Sequence, residues 1–173
     1  MERAARIAVC GAGAGDASSY KQAYQVGRLL AQAGAVLLCG GLGGVMEAAC
    51  QGAQEAGGFT VGILPGPNAD AANPYVDLPI VTGMGQARNV VLVLSADAVI
   101  AIAGEAGTLS EIAVALKVGR PVVGLGTWRL VRSDGHPEEG IRYAASPGEA
   151  VRWALEAARE RGREKQAPGA AES

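Results

Sequence analysis

Three glycine-rich segments stand out for the chemistry their backbones could do: Gly11–Gly15, Gly40–Gly44 and Gly104–Thr108. Each follows a short apolar run and opens a helix-like one, and Gly83-Met84-Gly85 precedes a further apolar segment in the same way. Glycine lets backbone N–H groups approach a ligand, and the amino end of a helix is partially positive. Each loop is therefore suited to a phosphate or another anion. Tight strand-to-helix turns need glycine anyway, so it is the repetition that favours anion binding over turn chemistry. The two best-defined phosphate motifs are absent: no G-x-x-x-x-G-K-[ST] occurs, and Asp16 stands where G-x-G-x-x-G needs its last glycine. The second strand closes on Cys39-Gly40, with no acidic residue for a ribose hydroxyl, which argues against an NAD-linked dehydrogenase. Cys10, Cys39 and Cys50 form no C-x-x-C pair. With His136 as the lone histidine they supply too few ligands for zinc, so no metal site is expected. The thiols read as buried small apolar groups and His136 as a solvated turn residue.

The elements that must hold these loops alternate. Strands are expected at Arg6–Cys10, Ala35–Cys39, Phe59–Ile63, Ala98–Ala103 and Pro121–Leu125. Leu78–Val81 reads as a short edge strand, because Pro79 cannot donate in a central ladder. Val26, Leu29, Leu30 and Ala33 recur at helical spacing before Gly34, as do Met46, Ala49, Ala53 and Ala56 before Gly57-Gly58. Gln86–Ser95 reads as a buried helix, and Ile112, Ala115 and Leu116 mark another ending near Gly119. Ser146-Pro147-Gly148-Glu149 is a capping box that opens a helix through about Arg161. Apolar strands separated by helices indicate an α/β fold: a single Rossmann-like domain over residues 1–162, mainly parallel, with helices on both faces of the sheet. Residues 163–173 read as a flexible tail. In a parallel sheet all three glycine loops fall on one edge, beyond the carboxyl ends of the strands, where such folds bind ligands.

Composition narrows the function classes. Hydrophobic residues make up 49% of the 173 and charged residues 18%, which excludes a disordered chain. Fifteen basic residues against seventeen acidic give no bulk attraction to nucleic acid or anionic lipid. Aromatics at 4% leave little for single-strand stacking platforms. No run reaches the ~18–20 apolar residues of a membrane span. Met1-Glu2-Arg3 runs straight into a strand-like segment without a signal peptide, so a cytoplasmic protein is expected.

Within this frame Cys39–Ala49 (CGGLGGVMEAA) resembles the Gly-Gly-x-x-Gly-x-Met loop of the "lonely guy" superfamily, long labelled "possible lysine decarboxylase". Gly104–Glu111 (GEAGTLSE) is similar to its second signature, Pro-Gly-Gly-x-Gly-Thr-x-x-Glu. Gln86–Asn89 (QARN) sits where the family has an arginine opening a buried helix. The run Asn73–Pro79, the Gly-Thr-Leu-Ser-Glu segment and Gly124–Trp128 look most like the branch that includes molybdenum cofactor carrier proteins. The resemblance covers about residues 6–160.

The superfamily's enzymes are phosphoribohydrolases that cleave nucleoside 5′-monophosphates to free base and ribose 5-phosphate. The resemblance implies that Gly107 and Thr108 hold the phosphate, that Arg88 binds phosphate or base, and that Glu111 faces the ribose. If the chain is an enzyme, Glu111 and Arg88 are its catalytic residues. Gly11, Gly13, Gly40, Gly41, Gly43, Gly44, Glu47 and Gly104 complete the expected ligand-binding set. Two departures matter: Ala103 and Glu105 stand where the enzymes have proline and the second glycine, and Glu105 puts a carboxylate in a loop meant for phosphate. They favour binding over hydrolysis. The expectation is a binding protein for a phosphorylated nucleotide-like ligand, with the molybdenum cofactor as the ligand the branch implies and no cofactor for catalysis. The alternative is a phosphoribohydrolase, and a third reading is a nucleotide-sensing module. Decarboxylation is disfavoured, since Lys21 and Lys117 lie at helix-surface positions with no pyridoxal phosphate context. The expected partners are a phosphorylated small molecule and further copies of the chain, in a homodimer or homotetramer built on apolar helices such as Gln86–Ser95, with no nucleic acid and no membrane.

Overall fold

The central strands are apolar at successive positions because helices cover both of their faces. In the computed structural model, which describes residues 3–166, the strands are β1 (Arg6–Gly11), β2 (Val36–Cys39), β3 (Phe59–Leu64), β4 (Leu78–Val81), β5 (Ala98–Ile102), β6 (Val122–Leu125) and β7 (Ile141–Tyr143). They form one seven-stranded sheet in the order β4-β3-β2-β1-β5-β6-β7. Every pairing is parallel. The helices are α1 (Ala17–Gln32), α2 (Val45–Glu55), α3 (Arg88–Ser95), α4 (Ala106–Lys117) and α5 (Pro147–Gln166).

Strand parity sorts the core into two layers. Ile7, Val9, Leu37, Cys39, Ile100 and Ile102 pack with α1, α2 and α5. Ala8, Cys10, Leu38, Val99 and Ala101 face α3 and α4. The fold is thus a single Rossmann-like α/β domain with helices on both faces. The small-residue composition acts most directly where α1 crosses α2. A Cβ on Gly27 would meet the Ala49 carbonyl oxygen at 1.9 Å, and one on Gly52 the Tyr24 oxygen at 2.0 Å. The two backbones touch, and any side chain there would force them apart.

Several expectations are refined. The edge position of β4 holds, with Pro79 facing Gly62 across the ladder. Gln86–Ser95 divides into a single 3-10 turn at Gly85–Ala87 followed by α3. β7 was not expected: three residues, Ile-Arg-Tyr, are too few to show a period. α5 runs to Gln166, past the end expected near Arg161, so residues 163–166 are helical rather than tail; residues 167–173 lie outside the described residues. Asp97 is a buried anchor that accepts hydrogen bonds from the Arg6 amide at 2.9 Å and from the Arg3 and Arg6 guanidinium groups. Among the described residues no helix is long and apolar enough to cross a membrane, and no group of three or more His, Cys, Asp or Glu could hold a metal ion.

Candidate functional site

The sheet order reverses between β1 and β5, and the loops leaving those two strands in opposite directions open a crevice. A cavity of about 230 Å³ lies there. The end of β1 and the turn after it supply Gly11, Ala12 and Gly13; the approach to α2 and its first turn supply Leu42 and Met46. The start of α3 supplies Gln86, Arg88 and Asn89, and the first turns of α4 supply Glu105, Gly107, Thr108 and Glu111.

Three polar side chains are buried in its wall: Thr108 is 2% exposed, Glu111 5% and Arg88 7%. Arg88 Nη1 donates to Asn89 Oδ1 at 2.9 Å and lies 3.5 Å from Glu111 Oε1, an ion pair longer than a charge-assisted hydrogen bond. Burial pushes the Glu111 carboxyl up to about 7, and the Arg88 charge only partly offsets that. Beneath Glu111 lies Cys10, whose thiol burial and the Glu111 carboxylate push well up. Two buried polar atoms of this wall have no hydrogen-bond partner: Arg88 Nε and Thr108 Oγ1. The amino end of α4 carries no side-chain cap either, so its first amides keep their donor capacity.

The glycines divide by what surrounds them. Gly40 lies under the guanidinium, where a Cβ would sit 2.6 Å from both Arg88 Nη1 and Nη2. Gly44, at φ +71°, rests on the first loop, where a Cβ would meet the Ala12 oxygen at 2.3 Å. Gly41 packs against Leu64, and Gly104 against Thr108. Gly40, Gly41, Gly43, Gly44 and Gly104 thus shape the cavity from behind or beside it, without lining it. Gly13 and Gly107 have no heavy atom within 4 Å of a would-be Cβ, so the fold itself leaves room there. Glu47 does not line the cavity; it faces a neighbouring groove between α1 and α2.

One expectation is corrected. The first loop offers no free helix end, because Asp16 Oδ1 accepts the Ser19 amide at 2.7 Å and caps α1. Glu105 holds the N-cap position of α4 in extended conformation, and Thr108 lies inside the helix. Glu105 sits exposed at the rim, its carbonyl held by Trp128 Nε1 at 3.2 Å. Ala103, the departure from the family's proline, is the one non-glycine with positive φ among the described residues, at +47°. Its carbonyl accepts from Thr127 Oγ1 at 2.5 Å, a brace for a strained residue. Sequence reasoning did not single out Asn89, Cys10 or Met46 for this site. Asn89 adjoins Arg88, but no motif or spacing marks its bond to that guanidinium, and the thiol's place under Glu111 is a contact between distant segments.

Comparison with known proteins places this architecture among relatives. The model of the SLOG cluster4 family matches residues 4–151. An uncharacterized protein of Archaeoglobus fulgidus is 46% identical over 150 residues, 87% of this chain and 94% of that one. Among solved structures, the molybdenum cofactor binding protein of Rippkaea orientalis is 40% identical, with a TM-score of 0.81 over 90% of this chain and 98% of that one. The molybdenum cofactor carrier protein of Chlamydomonas reinhardtii is 35% identical, with a TM-score of 0.78 over 90% and 98%.

Proposed function

This chain belongs to the SLOG cluster4 family, and from that premise we propose that it binds a phosphorylated nucleotide-like ligand and carries the molybdenum cofactor without transforming it. The observation that carries this reading is the pair of orphaned polar atoms in the cavity wall, Thr108 Oγ1 and Arg88 Nε. A buried donor left unmade costs ~1–3 kcal/mol, and a ligand phosphate in the cavity would accept from these groups and from the first amides of α4. The similarity to the two cofactor-binding structures supports the choice of cargo.

Purification from cells that make the cofactor, followed by oxidation and chromatography, tests the reading. Near-stoichiometric pterin fluorescence is expected with wild type and little with Thr108→Val. That variant should fold at least as stably, since it removes an unpartnered hydroxyl. Wild type that carries no pterin would sink the proposal.

One observation favours a second reading. A buried carboxyl at about 7 is poised to pass a proton to a departing base. Release of free base from nucleoside 5′-monophosphates, lost in Glu111→Gln, would make the chain a phosphoribohydrolase and displace the carrier reading. The assembly proposed is a homodimer or homotetramer joined through α3, where Val90 is 42% and Leu94 47% exposed. Light scattering of wild type beside Leu94→Lys checks it.

A further inference from the structure

Glu47 drew notice in the sequence yet stands outside the cavity, and its surroundings suit a ligand of their own. It faces a groove of about 450 Å³ between the amino-terminal turns of α1 and α2. Tyr20, Lys21 and Tyr24 form one wall, Gly44, Glu47 and Gln51 the other. The groove adjoins the cavity: Met46 lines the cavity, and the next residue, Glu47, lines the groove. Between them runs a ridge of bare backbone. A Cβ on Gly13 would meet nothing within 4 Å, and one on Gly43 would first meet Glu47 Oε2 and the Gly13 oxygen at 3.7 Å. Neither glycine of the ridge carries a side chain that a crossing ligand would meet.

Resting on the reading above, we propose that the site continues over this ridge and takes a two-part ligand, with a phosphorylated ring in the cavity and a nucleoside arm in the groove. The cavity alone, at about 230 Å³, is smaller than the ~300–1,000 Å³ of ordinary small-molecule sites, so a nucleotide-sized ligand must extend beyond it. The groove's groups match a nucleoside. Glu47 offers two carboxylate oxygens to a pair of ribose hydroxyls, the role an acidic residue plays in dinucleotide folds. Tyr20 and Tyr24 offer flat, partly exposed rings to a base. Both rings are already fixed: the Tyr20 hydroxyl accepts from the Gly15 amide at 3.3 Å, and the Tyr24 hydroxyl bonds Glu55. Little ordering remains to be done on binding. Lys21 brings positive charge for a diphosphate link, whereas Glu47 disfavours a phosphate placed directly against it.

Titration calorimetry of the full chain with GMP and AMP, beside diguanosine and diadenosine 5′,5′-diphosphate, tests this. Wild type should bind a dinucleoside diphosphate about tenfold tighter than the matching monophosphate. Glu47→Gln and Tyr20→Ala should each bring that ratio to about one. Equal wild-type affinities, or variants that weaken both probes alike, overturn the two-part site and leave the cavity reading standing. So does failure of every probe to bind a protein that still copurifies with pterin. If neither probes nor pterin bind, both readings fall.

Discussion

The sheet holds an arginine–carboxylate cluster at each end, and the two are built differently. At the amino ends of β1 and β5, Asp97 accepts from the Arg3 guanidinium at 2.9 Å, the Arg6 guanidinium at 3.0 Å and the Arg6 amide at 2.9 Å. Burial pushes its carboxyl up, but those bonds outweigh it and hold the group below the usual carboxylate range. At the carboxyl ends, Glu111 has Arg88 at 3.5 Å and burial prevails, while Arg88 Nε goes unpaired. One cluster has its hydrogen-bonding capacity filled by the protein and ties two strands together. The other keeps capacity in reserve beside a cavity. Unmet polar capacity, more than the presence of charge, separates a candidate site from a structural anchor.

The largest expected effect breaks the open cluster. Arg88→Met should weaken binding of a phosphorylated ligand on the order of 10- to 100-fold, the worth of a charged hydrogen bond, as read by calorimetry. Next comes the pH response. Glu111 has a folded pKa above its unfolded value, so its contribution is full below about pH 4.5 and is lost as pH rises through about 7. That loss amounts to about 3 kcal/mol, and urea unfolding across this range should show it in wild type but not in Glu111→Gln. Asp97 has the opposite sign: its stabilisation is present above the unfolded pKa and fades as pH falls through the folded one. Asp97→Ala should cost about 1.5–3 kcal/mol near neutral pH and blunt that acid limb, leaving ligand affinity unchanged. The smallest effect sharpens a parallel contrast between helix ends. Asp16→Ala should cost ~1 kcal/mol by removing the α1 cap, without changing ligand binding, because that end faces its own carboxylate. Thermal unfolding beside calorimetry checks both halves.

Much of this could be read from the residues in order. Apolar strands closed by glycine, helical spacing of aliphatics and the capping box at Ser146 each follow from local rules, because backbone sterics and periodicity act over a few positions. They fix a parallel α/β sheet and put the glycine loops on one edge. The motifs also marked Arg88, Gly107, Thr108 and Glu111, all of which line the cavity. What stayed hidden depends on residues far apart in the chain. Gly40 looked like a ligand contact, and only packing shows it lies beneath the Arg88 guanidinium. Glu47 looked like part of the same site, and the turn of α2 directs it into the next groove. Asp16 looked like the end of an anion loop, and its bond to Ser19 closes that helix. The sequence by itself determined which loops meet at the sheet edge, since the parallel direction of the strands follows from short-range pattern and the intervening helices. Only the tertiary structure decided which polar atoms there are already satisfied, because burial and hydrogen-bond partners are set by neighbours that the chain brings together from a distance.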